Sequence, residues 1–138
     1  MRIISVDLGN RYTGFASCDE LEMTVSPLHS IEGKSTKQIV EEIISTARRM
    51  NADEVIIGLP LNMNGTSGKQ AEHAEKIAAA VAESGVQVRL WDERLTSWEA
   101  DQLLLETGKS AKKRRLMAHS AAAAVILRSY IDSKKEAS

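Results

Sequence analysis

The sequence predicts an α/β fold in which one mixed five-stranded sheet is covered by helices. Three short β-like runs open the chain, and helix-period stretches then alternate with two further short apolar runs. The chain has 138 residues, the length of one domain, and 43% of them are hydrophobic. We therefore expect residues 1–138 to form a single domain. Its core should be mainly aliphatic, since aromatic residues make up only 4%.

The first three runs are predicted to be strands. The gaps between them have the length of hairpin loops, so an antiparallel meander is expected. Pro27 lies inside the third run and cannot donate to a hydrogen-bond ladder, which predicts that this strand lies at an edge of the sheet. The three runs are Arg2 to Leu8, Thr13 to Cys18 and Met23 to Ile31.

The period of the apolar pattern changes after Ser35. An apolar stripe from Thr36 to Met50 predicts an amphipathic helix, and Ser35 and Gln38 have the spacing of a capping box. Each of the two later strands follows a helix, so right-handed crossovers should place both parallel to a common neighbour. The remaining predicted elements are strands at Glu54 to Leu59 and Val86 to Trp91, and helices at Lys69 to Ser84, Thr96 to Gly108 and about Ser110 to Asp132.

Composition excludes several classes of protein. The net charge of -1 argues against coating nucleic acid through overall charge, although it leaves room for a local basic patch. Cys18 is the one cysteine, so no intrachain disulfide forms and a reducing compartment is expected. No apolar run approaches the ~20 residues of a membrane span, and Asp7 interrupts the first apolar stretch. We expect a soluble, cytoplasmic protein with no membrane partner.

Polar motifs follow three of the predicted strands, at the edge of the sheet where chemistry collects in α/β proteins. Asp7 ends the first strand and is followed by Gly9, Arg11 and Gly14. This pattern fits a simple hairpin turn, or an aspartate aimed at a metal or phosphate with Gly9 allowing close approach of a backbone. Actin-like ATPases and sugar kinases use a similar loop, but they enclose a nucleotide between two such domains. A chain of 138 residues is too short for that arrangement.

The second motif is Gly58-Leu59-Pro60-Leu61-Asn62, which continues to Gly65 after the fourth strand. Asn62 and Asn64 have side chains that bond to backbone or phosphate. Gly65 and Gly68 leave amides open near the start of the next helix, where anions bind readily. An Asx-rich turn that only caps the helix explains any one of these residues equally well.

The third motif, Trp91-Asp92-Glu93-Arg94-Leu95-Thr96, is the most informative. An ion pair with Arg94 accounts for one of the two acids but not for the second. Adjacent carboxylates repel each other, and a bound divalent cation relieves that repulsion. Thr96 is sufficiently explained as the N-cap of the next helix.

Two features of the last predicted helix have both structural and functional interpretations. His119 shares a stripe with apolar residues, where a histidine is more often a core or boundary residue than a functional one. A basic run at the start of the helix is usually a solvated surface. However, cations there oppose the helix dipole, so contact with a phosphate backbone is the better reason for them. The run comprises Lys109, Lys112, Lys113, Arg114 and Arg115.

Together, the three motifs resemble the YqgF/RuvX family of Holliday junction resolvase-like proteins and pre-16S rRNA nucleases. The basic run followed by Ala121 to Leu127 is similar to the closing helix of that family, so the resemblance spans essentially the whole chain. It implies a ribonuclease H-like fold with strand order 3-2-1-4-5 and an antiparallel strand 2. It also implies a nuclease that uses Mg²⁺ or Mn²⁺ and trims the 5′ end of the 16S rRNA precursor in ribosome biogenesis.

The resemblance also implies roles for individual residues. Asp7 and Glu93 would be catalytic acids and metal ligands, with Asp92 as a further ligand. The family usually has an aspartate in the closing helix where this chain has His119. His119 would then be a metal ligand, which favours Mn²⁺, or a general acid or base. Nucleic-acid contacts are expected at Arg11, Asn62, Arg94, Lys112, Lys113, Arg114 and Arg115.

The implied strand order sets a geometric condition on this site. Strand five lies two strands away from strand one, hence roughly 10 Å in backbone terms. Asp7 and Glu93 can therefore share metal ions only if both side chains lean inward over strand four.

The preferred hypothesis is a metal-dependent nuclease acting on structured nucleic acid, with precursor rRNA favoured, as a monomer or a homodimer. Resolution of branched DNA is a variant of this hypothesis, and it requires a dimer because two strands are cut symmetrically. A catalytically inactive RNA- or transcription-complex-binding protein is the alternative from another class. The missing aspartate in the closing helix favours that alternative.

Overall fold

A computed structural model describes residues 1–60, 64–65, 68–93 and 111–137, and in the last range the side chains of residues 117–136. The described strands are β1 (Ile3–Leu8), β2 (Tyr12–Cys18), β3 (Val25–Glu32), β4 (Glu54–Leu59) and β5 (Val88–Asp92). The described helices are α1 (Thr36–Arg49), α2 (Lys69–Glu83) and α3 (Ala111–Ala137). The helix predicted from Thr96 to Gly108 lies outside the described residues.

The five strands form one sheet in the order β3-β2-β1-β4-β5. β2 is antiparallel to both β1 and β3, whereas β1 and β4 and then β4 and β5 run parallel. The predicted strand order and the antiparallel strand 2 are therefore confirmed. Pro27 lies on the edge strand β3, as its missing N–H requires. The ends of β1, β4 and β5 meet at one side of the sheet, which we call the carboxyl edge.

Helices cover both faces of the sheet. α1 and α2 pack on one face, and α3 crosses β1, β2 and β3 on the other. Each face has its own buried cluster, and both clusters consist mainly of aliphatic side chains. The first cluster includes Ile4, Val6, Phe15, Ile43, Val55, Ile57, Ile77 and Val81. The second includes Ile3, Cys18, Ile56, Ile126, Leu127, Tyr130 and Ile131.

Gly14 sets how closely α3 approaches the sheet. A Cβ at this position would overlap the backbone of α3 at His119 and Ser120, so only glycine permits the observed packing. The buried hydroxyl of Ser5 donates a hydrogen bond of 2.6 Å to the carbonyl oxygen of Ala123 on the same helix. Together these contacts hold one end of α3 over the end of β1.

Most elements differ from their predicted bounds by one or two residues, as β5 does in running from Val88 to Asp92 rather than from Val86 to Trp91. For β3 and α3 the contacts show why. β3 begins at Val25 rather than Met23, because Asp19 accepts hydrogen bonds from the amides of Met23 (2.7 Å) and Thr24 (2.8 Å) and extends the turn. α3 continues past Asp132 to Ala137. An ion pair of 2.8 Å between Lys134 and Glu22 ties this end of the helix to the loop that precedes β3.

The sequence signal at the start of α1 is confirmed. The Ser35 side chain accepts a hydrogen bond from the amide of Gln38, and the Gln38 side chain accepts one from the amide of Ser35. This reciprocal pair satisfies two amides that the first turn would otherwise leave open.

Over the described part of the chain, no helix combines the length and the apolar character that crossing a bilayer demands.

Candidate active site

The pleat of the strands brings two acids to one face at the carboxyl edge. Ser5 and Ile3 of β1 point toward α3, and Asp7 follows them in the same alternation. On β5, Trp91 packs against the α3-side cluster, and Glu93 is two residues further on. Asp7 and Glu93 therefore emerge on the same side of the sheet, two strands apart.

The carboxyl groups of Asp7 and Glu93 meet above β4. They are in hydrogen-bonding contact, and Gly58 of β4 supplies the room for it. A Cβ at Gly58 would overlap the Glu93 carboxyl, approaching its Cδ to 2.7 Å and its Cγ to 2.8 Å. The Glu93 side chain therefore leans over strand four, as the strand order requires if the two acids are to meet.

This contact changes the protonation of the pair. Burial, then the contact with Asp7, and then the charges of Asp7 and Asp92 raise the pKa of Glu93 to about 9. Two ionised carboxylates in contact would repel each other, so Glu93 keeps its proton at neutral pH. In this state Glu93 donates a hydrogen bond to the Asp7 carboxylate.

His119 joins the pair from α3. Its Nδ1 lies 2.7 Å from Oδ2 of Asp7, the distance of a hydrogen bond to a charged acceptor. The side chain of His119 is 28% exposed, whereas that of Asp7 is 13% exposed, so the imidazole lies at the solvent side of the acids. Because a carboxylate only accepts hydrogen bonds, Nδ1 carries the proton in this arrangement. His119 was predicted on an apolar stripe, and the structure brings it to Asp7.

A second glycine makes room for the imidazole. A Cβ at Gly9 would overlap Cε1 of His119 and lie 2.9 Å from Nδ1. The Gly9 amide donates a hydrogen bond of 2.9 Å to the carbonyl oxygen of Tyr12, which closes the turn between β1 and β2. Gly9, Gly14 and Gly58 therefore each admit a part of the same site.

The chemistry of these donors fits a hard divalent cation. A pair of carboxyl groups in contact offers oxygen ligands. The pair holds a proton only because burial and mutual repulsion disfavour ionisation of both groups. Within the residues that the structure describes, no three His, Cys, Asp or Glu side chains form a ready-made metal cluster. Mg²⁺ sites of this chemistry use one or two carboxylates and complete the shell with water and substrate phosphate, so Asp7 and Glu93 are a sufficient protein contribution.

Arg11 lies at the border of this site. It is 71% exposed, and its Nε forms an ion pair of 2.9 Å with Glu32 at the end of β3. The neighbouring Asn10 accepts a hydrogen bond of 2.8 Å from Gln70, which ties the β1–β2 turn to the first turn of α2. Arg11 is therefore held at the carboxyl edge with its side chain open to solvent.

Other predicted site residues are placed only in part. Asp92 ends β5 and alternates with Leu90, so it faces the side of α1 and α2, and its charge is the smallest of the causes that raise the pKa of Glu93. Asn62 and Arg94 lie outside the described residues. So do the side chains of Lys112, Lys113, Arg114 and Arg115, whose backbone forms the first turns of α3.

Sequence reasoning missed Tyr12. It begins β2 and contacts the His119 ring, with ring centroids 5.8 Å apart, whereas the prediction began this strand at Thr13. The alternation of β2 contains the missing signal, because Tyr12 shares a face with Gly14, the residue against which α3 packs.

The strand order, the helices on both faces and the acids at the carboxyl edge define a ribonuclease H-like α/β protein. The structure is similar to that of "T. thermophilus RuvC in complex with Holliday junction substrate", with a TM-score of 0.62, 15% sequence identity, and coverage of 98% of this chain and 96% of that one. At that identity the likeness establishes the fold alone.

The sequence identifies the family. Residues 1–133 match the family model described as "RuvX: Holliday junction resolvase". The chain is 36% identical over 137 residues to a protein of Bacillus cytotoxicus, covering 97% of this chain and all of that protein. It is 38% identical over 143 residues to a protein of Lachnospira eligens, covering 99% of this chain and all of that protein. Both relatives carry the name "Putative pre-16S rRNA nuclease". The chain belongs to the RuvX (YqgF) family.

Proposed function

We propose that this protein is a nuclease that hydrolyses phosphodiester bonds with the help of a divalent metal ion, and that residues 1–138 act as one domain. The observation that carries the proposal is the contact between the Asp7 and Glu93 carboxyl groups over Gly58. Burying two acids against each other destabilises a fold unless a cation or proton compensates. The names of the two relatives and of the family support nucleic acid as the substrate.

The proposed roles of the acids follow from their positions. Asp7 and Glu93 would hold Mg²⁺ or Mn²⁺, and the ion would supply an activated water and charge stabilisation at the phosphate. Asp7 is fixed by the end of β1 and by His119, so its carboxylate is already oriented. Glu93 would release its proton on holding the ion, so affinity for the metal should increase with pH.

His119 suits proton transfer better than direct metal ligation. Its Nδ1 is engaged by Asp7 at 2.7 Å, and the ring is 28% exposed, so Nε2 is the nitrogen left for a proton from solvent or substrate. An imidazole with one nitrogen free to carry a proton suits an acid or base that protonates a leaving oxygen. With oxygen ligands only, Mg²⁺ serves the site as well as Mn²⁺.

Precursor 16S rRNA is the proposed substrate, and a cytoplasmic location accompanies it. The relatives' shared name supports this choice over DNA. One pair of contacting acids in the described part of the chain suits trimming of a single strand, which a monomer can perform. Arg11, open to solvent at the carboxyl edge, would contact the phosphate backbone, and the unplaced Asn62, Arg94, Lys112, Lys113, Arg114 and Arg115 would extend that contact.

A cleavage assay tests the proposal. The purified chain is incubated with a precursor carrying the 5′ end of 16S rRNA, or with a four-way DNA junction, each in Mg²⁺, Mn²⁺ or EDTA. We expect metal-dependent cleavage of the RNA, abolished by Asp7→Asn. Asp132→Asn is the matched control because this aspartate is exposed near the other end of α3. Cleavage of the junction only would make the protein a resolvase, and unchanged binding without any cleavage would make it a binding protein.

A further inference from the structure

The β1–β2 turn places an aromatic ring beside the imidazole of the site. Tyr12 is half-buried, and the centroid of its ring lies 5.8 Å from that of His119, with the two planes at 32°. This distance is within the range in which rings pack in offset stacked or tilted pairs. Tyr12 also lies on the α3 face of β2, two residues before Gly14, so the close approach of α3 brings the two rings together.

We propose that Tyr12 is a positioning residue that holds the His119 imidazole in the orientation in which Nδ1 faces Asp7. The hydrogen bond to Asp7 fixes one atom of the ring, and the ring can still pivot about that atom. A second contact is needed to hold the plane of the imidazole. Tyr12 supplies it, with ring centroids 5.8 Å apart and the two planes tilted by 32°, while the bare backbone of Gly9 leaves space on the ring's Cε1 side.

The turn itself makes Tyr12 a rigid support. The Tyr12 carbonyl oxygen accepts a hydrogen bond of 2.9 Å from the Gly9 amide, so the residue is tied to the strand end that carries Asp7. The Arg11 guanidinium carbon lies 5.6 Å from the centroid of the Tyr12 ring, and Arg11 is in turn paired with Glu32 at 2.9 Å. A continuous series of contacts thus runs from the edge strand β3 to the imidazole.

A different role for the same ring is to stack on a base of the substrate. The two roles differ in what they depend on. A stacking residue acts on the substrate and changes KM whether or not His119 is present. A positioning residue acts through His119 and has no further effect once the imidazole is removed.

The kinetic arm of the test rests on the proposed function and uses a double-mutant cycle. Tyr12→Leu and Tyr12→Phe are each measured in the natural chain and in the His119→Ala background. We expect Tyr12→Leu to lower kcat about tenfold with little change in KM, as loss of a supporting contact commonly does. Tyr12→Phe should keep the natural kcat, and Tyr12→Leu should add nothing to His119→Ala. An equal loss in both backgrounds, or a loss confined to KM, overturns the inference.

The second arm needs neither metal nor activity. The carbon-bound protons of the His119 ring are followed by NMR in metal-free protein, where the tyrosine ring current shifts them. Tyr12→Leu should remove that shift and Tyr12→Phe should keep it. His29, whose ring is stacked at 4.5 Å on Phe15, is the internal control and should not change. Unchanged His119 resonances in Tyr12→Leu overturn the inference, whereas an inactive natural chain whose His119 resonances do move overturns only the proposed function.

Discussion

The substitution Gly58→Ala should break the contact between Asp7 and Glu93 while leaving the fold intact. The new methyl group would overlap Oε1 of Glu93 and lie 2.7 Å from its Cδ, and ordinary contact begins at 3.4 Å, so the carboxyl must retreat by at least about 0.7 Å. Glu93 is a flexible side chain and can do so by rotation, which breaks its contact with Asp7 while leaving the strands in place. A misplacement near 1 Å costs roughly 100-fold in rate.

The expected cost to folding is small. Alanine is favoured over glycine by roughly 0.5–1 kcal/mol within a strand, which offsets residual crowding at the new methyl group. We therefore expect the free energy of unfolding of Gly58→Ala to stay within about 1 kcal/mol of the natural value, while kcat/KM falls about 100-fold.

Gly14→Ala is the matched comparison. There the methyl group would overlap the backbone of α3 at His119 and Ser120, which cannot rotate away. We expect the free energy of unfolding to fall by about 1–3 kcal/mol or more, together with lost activity. Urea unfolding and cleavage of the RNA substrate are measured side by side for both variants. Full activity in Gly58→Ala would refute the placement of Glu93 over β4.

Three further outcomes are expected. In metal-free protein, Glu93 keeps its proton in the folded state to a pKa of about 9 but loses it in the unfolded chain near 4.5, so its stabilising effect is full below pH 4.5 and lost as the pH rises to about 9. The free energy of unfolding should therefore fall by up to about 1.4 kcal/mol per pH unit between those two values, and Glu93→Gln should remove this dependence. An unaltered slope in Glu93→Gln would contradict the proton held by Glu93. Ser35→Ala should lower the unfolding free energy by about 1 kcal/mol, since it removes the α1 cap, with activity kept; a change in activity would show that α1 affects the site. Gln70→Ala should loosen the β1–β2 turn by removing the 2.8 Å bond to Asn10, and faster amide exchange at Gly9 would show it, whereas unchanged exchange would mean that the turn is stable alone.

Much of the fold was predictable because its signals are local. The capping box at Ser35, the proline in the edge strand and the change of apolar period each depend on neighbouring residues. The strand order implied by the family resemblance set only a condition for the site, that Asp7 and Glu93 must lean inward over strand four to meet, and spacing alone could not show that they do.

The parts of the site that sequence could not give depend on how α3 crosses the sheet. Whether His119 reaches Asp7 or stays in the core is decided by the approach of two backbones at Gly14, and no periodicity encodes that distance. The contact with Tyr12 follows from the same crossing. A strand boundary set one residue too late was enough to hide it.

Calorimetric titration of the metal-free protein with Mn²⁺ tests most directly whether the Asp7 and Glu93 carboxyl groups form one cation site. We expect binding that strengthens as the pH rises toward the pKa of Glu93, about 9, and that weakens at least tenfold in both Asp7→Asn and Glu93→Gln. Equal Mn²⁺ affinity in the natural chain and in both variants would contradict the claim.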